Sequence, residues 1–332
     1  MPETMATVDF SVADHHVALA APRELTDDIT TRLAPYLTVG PTAGIAKWTV
    51  QCGVDPSIDP LGAQRVVLSS PTEPQAVLWV DHETHLIIID RSTPPSFASH
   101  FAARYLRILL RLCLAESPDE LFAHAGMVAR SDRSGFVVLG PKRAGKTSTL
   151  LSAVISGAVF VGNDDVSIAW TGTGWIGRGW PRSISVRLDT FDALGLPSAN
   201  VVAAASGHPS QGSSTTIGAM MLLPGELTEL LSAPAVRASA PVAALVFPQF
   251  TDESPPILRP LSREDALRRL LDELLPEPVK QADFLLPHFN LVSQTTAAEL
   301  CDRLTAEVPA FELRQNFRDL RAGSAHLSAL LD

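Results

Sequence analysis

The stretch GPKRAGKTS, residues 140 to 148, decides how the rest of the chain is interpreted. It matches the pattern G-x-x-x-x-G-K-[ST] at Gly140, Gly145, Lys146 and Thr147. In such a loop the glycines let backbone N–H groups turn toward phosphate oxygens. The apolar run Phe136 to Leu139 precedes the loop, and a helical pattern follows it, as that mechanism requires. The stretch therefore predicts a phosphate-binding loop between a strand and a helix.

The loop also predicts its ligands. Lys146 is expected to reach the β- and γ-phosphates of a nucleotide, and the Thr147 hydroxyl is expected to ligate Mg²⁺. Lys142 and Arg143 add two positive charges, which either touch phosphate or are solvated. The predicted nucleotide-binding residues are Gly140, Pro141, Lys142, Arg143, Ala144, Gly145, Lys146, Thr147 and Ser148.

Two acids follow the loop at a short spacing. Asp164 comes 18 residues after Lys146, and Asp165 is next to it, at the end of the predicted strand 159–161. If that strand neighbours the loop strand, both carboxylates emerge beside the phosphates. One acid can then help to hold Mg²⁺, and the other can accept a proton from an incoming hydroxyl. The sequence Asn-Asp-Asp is also ordinary turn composition, but the spacing from the loop favours a site.

Four further residues are candidates for the same site. His124 starts the strand before the loop strand, so the predicted topology brings it to the same edge of the sheet; the alternative is a packed, hydrogen-bonded histidine. After a predicted hairpin over residues 171–174 come the arginines Arg178, Arg182 and Arg187. Arginine can neutralise a transferring phosphate or hold an anionic substrate, and the alternative is a solvated edge strand.

The region before the loop predicts short strands and a helix over 99–116. On that helix Arg104, Arg107 and Arg111 share one face by their spacing. They predict either a solvated stripe over an apolar helix or a stripe that binds an anion or a partner. We expect residues 1–118 to form a smaller α+β region, which could bind substrate, and residues 119–332 to form the domain that carries the loop.

Composition excludes some classes of function. The formal net charge is −10, which disfavours nucleic-acid and anionic-membrane partners. No run approaches the roughly 20 apolar residues that span a bilayer. The three cysteines are scattered without a CxxC pair, which predicts a reducing, cytoplasmic setting rather than a disulfide framework or a structural zinc site.

With these residues identified, the chain resembles the HPr kinase/phosphorylase family and its relatives among the phosphoenolpyruvate-carboxykinase-like P-loop kinases. The resemblance rests on His124-Ala125-Gly126, the hairpin into GPKRAGKT, and the strand that ends in FVGNDDVSI. It covers residues 120–190. It implies an α/β fold: a kinase domain with a mixed sheet, preceded by the smaller N-terminal region.

The resemblance also implies roles for the candidate residues. It implies transfer of the γ-phosphate of ATP to a serine hydroxyl, with ATP and Mg²⁺ as cofactors. Asp164 would be the proton acceptor, Asp165 and Thr147 would hold the metal, and Lys146 and His124 would complete the active site. The assignment of the two acids to these roles stays open. Arg178 stands nearest to the position at which the family has a metal-supporting Glu, and this departure argues for an acceptor other than HPr.

Three functions remain at this point. The first is a kinase of a serine in a peptide or small protein, including a ribosomally made precursor peptide. The second is a kinase of a small hydroxylated metabolite, such as a free amino acid, and the third is a nucleotide-binding regulatory module without catalysis. The sequence leaves open whether the chain forms a homo-oligomer.

Overall fold

A computed structural model describes residues 5–34, 36–41, 46–54, 62–70, 73–130, 134–197, 201, 207–210, 218–252, 254–275 and 282–331. The chain divides into two compact units. The first comprises residues 1–116 and 278–290, and the second comprises residues 117–277 and 291–332. The C-terminal part of the chain thus returns once to the first unit. A substrate-binding role for residues 1–118 stays a prediction.

The first unit contains a sheet with helices α1 and α2. Within the described residues, seven strands form this sheet in the order β3-β1-β2-β4-β7-β6-β5. The pairs β2–β4 and β4–β7 are parallel, and the other pairs are antiparallel. The elements are β1 Met5–Val12, β2 His15–Pro22, α1 Arg23–Leu33, β3 Thr38–Pro41, β4 Trp48–Val54, β5 Gln64–Ser70, β6 Glu73–Asp81, β7 Leu86–Asp90, α2 Pro95–Leu114 and a 3₁₀ helix Asp283–His288.

Two residues of the arginine stripe on α2 are at least partly removed from water. Arg111 is only 1% exposed, and Arg104 donates a hydrogen bond to the Glu73 carboxylate on β6. The solvated stripe is therefore wrong for Arg111, and the anion that Arg104 binds is a carboxylate of the same chain. The spacing of three and four residues correctly places them on one face, but it does not reveal that the sheet and Glu73 cover that face.

The second unit carries the predicted loop. Its elements before residue 200 are β8 Glu120–Ala123, β9 Ala125–Ala129, β10 Gly135–Leu139, α3 Lys146–Ile155, β11 Val159–Gly162, β12 Val166–Trp170, β13 Trp175–Gly179, β14 Ile184–Arg187 and α4 Leu188–Ala193. Those after it are β15 Ala219–Leu222, α5 Pro224–Leu230, β16 Ser239–Phe250, β17 Ile257–Pro260, α6 Arg263–Asp272, α7 Gln294–Glu307, β18 Ala310–Gln315, a 3₁₀ helix Phe317–Asp319 and α8 Leu320–Leu331.

A mixed sheet forms the centre of this unit. Within the described residues nine strands join it, with the path β11-β9-β10-β16-β13-β12-β8, with β18 beside β16 and with β17 beside β18. Side chains on β10 alternate between two cores: Val137 and Leu139 pack with residues of α6 and α7, and Phe136 and Val138 pack with residues of α3 and α8. The alternation follows from the two-residue period of a strand, and it places helices on both faces of the sheet.

The strand that precedes the two acids is not a neighbour of the loop strand, although such a pairing was the simplest way to bring the acids to the phosphates. The predicted strand 159–161 exists as β11, but β11 pairs with β9, and β9 lies between it and the loop strand β10. Strand order is set by pairing across the whole unit, which a local pattern does not contain. The predicted hairpin over 171–174 is confirmed as β12 and β13.

Among the described helices none is both long enough and apolar enough to cross a membrane.

Candidate active site

The loop 140–148 connects β10 to α3, and its backbone is turned by three left-handed residues. Gly140, Arg143 and Gly145 have φ values of +143°, +73° and +106°. At Gly145 a side chain is excluded on a second ground, because a Cβ there would lie 2.8 Å from the ring of Phe250. Successive backbone groups in such a turn form a concave surface of N–H donors, which suits an anion.

The loop residues differ in exposure. Gly140, Gly145, Lys146 and Ser148 are buried, Ala144 and Thr147 are half-buried, and Pro141, Lys142 and Arg143 are exposed. Helix α3 begins at Lys146 as predicted. The N-terminus of α3 therefore adds its unsatisfied N–H groups and its positive dipole end to the loop.

Lys146 is held against its own loop. It is only 6% exposed, and its Nζ donates hydrogen bonds to the carbonyl of Gly140 and, at 3.3 Å, to the carbonyl of Pro141. Burial lowers the pKa of Lys146, and the negative charges of Glu273 and Asp164 oppose this change. A partly desolvated ammonium group beside a ring of N–H donors is suited to a polyphosphate.

Thr147 is bonded to a residue that the sequence did not single out. Its Oγ1 donates a hydrogen bond to Asn163 Oδ1 at 3.1 Å. Asn163 is 4% exposed, and its buried Nδ2 has no hydrogen-bond partner within the described part of the chain. The bond fixes the Thr147 side chain, while the amide group keeps an unused donor next to the loop. Its place directly before Asp164 was the signal that could have identified it.

The acid pair lies in the turn between β11 and β12. Asp164 takes a left-handed conformation with φ +61°, which separates its side-chain direction from that of Asp165. Asp164 Oδ1 lies 4.0 Å from His124 Nε2, and Asp165 Oδ2 lies 4.0 Å from Arg182 Nη1. Asp165 is 4% exposed, whereas the Asp164 side chain is 31% exposed. The two acids therefore meet different surroundings, as two different roles require.

The three arginines are not equivalent. Arg182 lies beside Asp165, with its Nη1 4.0 Å from Asp165 Oδ2. Arg178 instead donates two hydrogen bonds to Glu120, at 2.9 and 2.7 Å, and Glu120 is buried. Arg187 lies on β14, is exposed, and pairs with Asp189 at 2.7 Å. The structure thus brings Arg182 to the acids, whereas Arg178 and Arg187 are engaged by other carboxylates.

Glu273 is a buried acid that the sequence did not single out as a site residue. It follows the last residue of α6, is 8% exposed, and interacts electrostatically with Lys146. Burial raises the pKa of Glu273, the charge of Lys146 opposes the rise, and Asp272 adds to it. The end of α6 lies far from the loop in the chain, so no local sequence pattern relates Glu273 to Lys146. Only the fold relates them.

The donor set fits a magnesium-bound nucleotide. Within the described residues, no three His, Cys, Asp or Glu side chains group closely enough to hold a metal ion by themselves. Mg²⁺ usually takes one or two protein ligands and completes its shell with phosphate oxygens and water. The Thr147 hydroxyl and the Asp165 carboxylate, with phosphate oxygens and water, would supply that smaller set.

The chain has a distant structural likeness to solved proteins. No family model matches the chain, and no curated protein matches it. Among solved structures, the Hpr(Ser) kinase/phosphatase from Coxiella burnetii aligns with 63% of this chain and 93% of its own. The identity is 13% and the TM-score is 0.30.

Proposed function

We propose that this chain is an ATP-dependent, Mg²⁺-requiring kinase that transfers the γ-phosphate to a serine hydroxyl of a peptide or small protein. A ribosomally made precursor peptide is the acceptor class that we favour. One observation carries the proposal: the acids Asp164 and Asp165 lie in the turn that follows Asn163, whose side chain is bonded to Thr147 of the loop. This hydrogen bond joins the loop to the turn that carries both acids, which supports the proposed site.

Each residue has a role that its surroundings support. The loop N–H groups and Lys146 would bind the β- and γ-phosphates. Thr147 and Asp165 would hold Mg²⁺, which neutralises charge on the phosphates during transfer. Arg182, beside Asp165, would contact a phosphate oxygen and keep the buried acid in place.

Asp164 would act as the base. Its carboxylate is partly exposed, so an acceptor hydroxyl can approach it, and His124 at 4.0 Å can orient it. In the reaction the acceptor oxygen forms a bond to the γ-phosphorus, the bond from that phosphorus to the bridging oxygen of ADP breaks, and Asp164 receives the hydroxyl proton.

An acceptor panel tests the proposal. The purified chain is incubated with ATP and Mg²⁺ and either serine-containing peptides or small hydroxylated metabolites, and phosphate incorporation is followed by mass spectrometry. We expect phosphoserine in a peptide and none with the Lys146→Ala variant. Transfer to metabolites alone would replace the peptide acceptor with a small molecule. Tight ATP binding without transfer to any acceptor would contradict catalysis and indicate a nucleotide-binding module.

A further inference from the structure

Three parallel strands of the second unit end at the same edge of its sheet. Strand β16 pairs in parallel with β10 on one side and with β18 on the other. The loop 140–148 follows β10, Phe250 is the last residue of β16, and Phe317 comes two residues after the end of β18. In α/β sheets, ligands bind in the crevice outside the carboxyl ends of parallel strands. These two aromatic residues are therefore carried to the edge that holds the loop.

The aromatic pair, Phe250 and Phe317, begins directly at the loop. The ring of Phe250 occupies the space beside Gly145, where an added Cβ would lie 2.8 Å from one ring carbon and 3.1 Å from two others. Phe317 meets Phe250 edge to face, with ring centroids 5.3 Å apart and ring planes inclined by 84°. This is an arrangement that aromatic side chains prefer. Two contacting rings therefore extend from the loop along the edge of the sheet.

The aromatic pair is only partly removed from water. Phe136 and Phe160 belong to the core against which the pair packs, and each is 1% exposed, whereas Phe250 and Phe317 are half-buried. Full burial of an aromatic ring would add hydrophobic stabilisation, which the pair forgoes in part. A ring that keeps an accessible surface can stack with another flat group, such as a nucleotide base.

Hydrogen bonds fix the backbone that carries the two rings. Gln315 Nε2 donates to Thr149 Oγ1 of α3 at 2.6 Å, and both residues are only 1% exposed. The Thr251 N–H donates to the Gln315 carbonyl at 3.0 Å. The first bond holds the end of β18 against the helix that follows the loop, and the second joins the ends of β16 and β18. The aromatic pair is therefore held in a fixed place relative to the loop.

We propose that Phe250 and Phe317 form the platform on which the base of a bound nucleotide stacks. This inference rests on the proposed function, in which the loop binds the phosphates. The turn that carries Asp164 follows β11, which lies two places from β10 in the sheet, on the side away from β16 and β18. A nucleotide with its γ-phosphate toward Asp164 would extend its base toward the aromatic pair. The platform adds affinity for the base that the loop alone does not supply.

Two ligands that differ in the base test the proposal. ATP carries a base, whereas tripolyphosphate presents phosphates alone. Phe317→Ala removes one ring and leaves Phe250 against the loop. By calorimetry in excess Mg²⁺, we expect Phe317→Ala to raise the Kd for ATP about tenfold and to leave the Kd for tripolyphosphate unchanged. Phe317→Tyr keeps an aromatic ring and should bind ATP as the wild-type chain does.

A matched control comes from the first unit. Phe97 is also half-buried and also has an aromatic neighbour, Phe101, with ring centroids 6.4 Å apart. Phe97→Ala should leave the Kd values of both ligands unchanged. If Phe317→Ala does not fold, Phe317→Leu and Phe317→Tyr decide instead, because both keep apolar bulk and only the tyrosine keeps a ring.

The outcomes separate the platform from the proposed function. If the wild-type chain binds both ligands and Phe317→Ala leaves the Kd for ATP unchanged, the platform is overturned while phosphate binding by the loop stands. An equal loss for both ligands would also overturn it, because the substitution would then have disturbed the loop rather than a contact with the base. If the wild-type chain binds neither ligand, the proposed function fails and the platform fails with it.

Discussion

Glu73 in the first unit and Glu273 in the second are both largely removed from water, yet their pKa values move in opposite directions. Burial alone would raise the pKa of Glu73, but hydrogen bonds from His100 and Arg104, together with the charge of Arg104, lower it to about 2. Burial raises the pKa of Glu273, and Lys146 opposes that rise only in part.

The difference distinguishes two uses of buried charge. Around Glu73 the partners touch: His100 Nε2 lies 3.1 Å from its Oε1, and Arg104 is bonded to the same atom. Lys146 instead donates its hydrogen bonds to loop carbonyls, and Asn163, which accepts from Thr147, has an Nδ2 without a partner in the described residues. The first arrangement stabilises a fold, because its charges satisfy one another. The second leaves attraction available for a ligand.

The largest effect is expected at Asp164, the proposed base. Asp164→Asn keeps the shape of the side chain but removes its ability to accept a proton. We expect the rate of phosphate transfer to fall about 10²- to 10⁴-fold, with ATP binding retained. Single-turnover kinetics with the best acceptor of the panel would measure it, and the exposed Asp272→Asn is the matched control. A full rate in Asp164→Asn would end the assignment of this residue as the base.

Substitutions in the cluster of Glu73, His100 and Arg104 should change the stability of the fold. Arg104→Ala leaves Glu73 with a weaker set of partners in the first unit. We expect the free energy of unfolding to fall by about 3 kcal/mol, as measured by denaturant titration. Arg187→Ala also breaks an ion pair, but an exposed one, and should cost far less. Equal costs for the two variants would show that the Glu73 cluster contributes no more than a surface pair.

An intermediate effect is expected at Asn163. Asn163→Ala removes the acceptor that fixes the Thr147 hydroxyl. Because Thr147 is a proposed metal ligand, the Mg²⁺ concentration for half-maximal rate should rise about tenfold. Asn163→Asp retains an acceptor oxygen and should restore most of the affinity. If the Mg²⁺ concentration for half-maximal rate is unchanged in Asn163→Ala, the hydrogen bond between Thr147 and Asn163 does not contribute to metal binding.

The last effect is a pH dependence of stability. Glu73 has an ordinary pKa of 4.5 and a folded-state pKa of about 2. Its pairing therefore stabilises the fold fully above pH 4.5, and that contribution is lost as the pH falls toward 2. Glu73→Gln should flatten the stability profile in this window. The raised pKa of Glu273 has the opposite sign, so Glu273→Gln should remove a loss of stability that grows as the pH rises. If Glu73→Gln and Glu273→Gln changed the dependence of stability on pH in the same direction, the contrast between the two acids would be contradicted.

Local elements of the fold were predictable from the sequence. The strand Gly135–Leu139 and the helix that begins at Lys146 follow from an apolar run, a glycine-rich loop and a helical pattern. Ser262 is a residue type that favours the N-cap of a helix, and its side chain accepts the Asp265 N–H at the start of α6. These features depend on neighbours in the chain, so a single sequence contains them.

Features set by distant pairing were not predictable. The place of β9 between β10 and β11 depends on the whole sheet, and the return of residues 278–290 to the first unit has no sequence signal. Arg111 shares the face predicted for it, but only the packing shows it to be buried. The small and polar composition of residues 206–216 predicts a loop, and of these only residues 207–210 lie within the described residues.

The central claim is that the loop beside Asn163, Asp164 and Asp165 binds the phosphates of a nucleotide. The most direct measurement is the Kd for ATP with Mg²⁺ in the wild-type chain and in Lys146→Ala, by calorimetry on proteins that unfold at similar temperatures. We predict binding in the wild-type chain and a loss on the order of a hundredfold in the variant, because the ammonium group is the main charge on the phosphates. Equal affinities, or no ATP binding by the wild-type chain, would contradict the account.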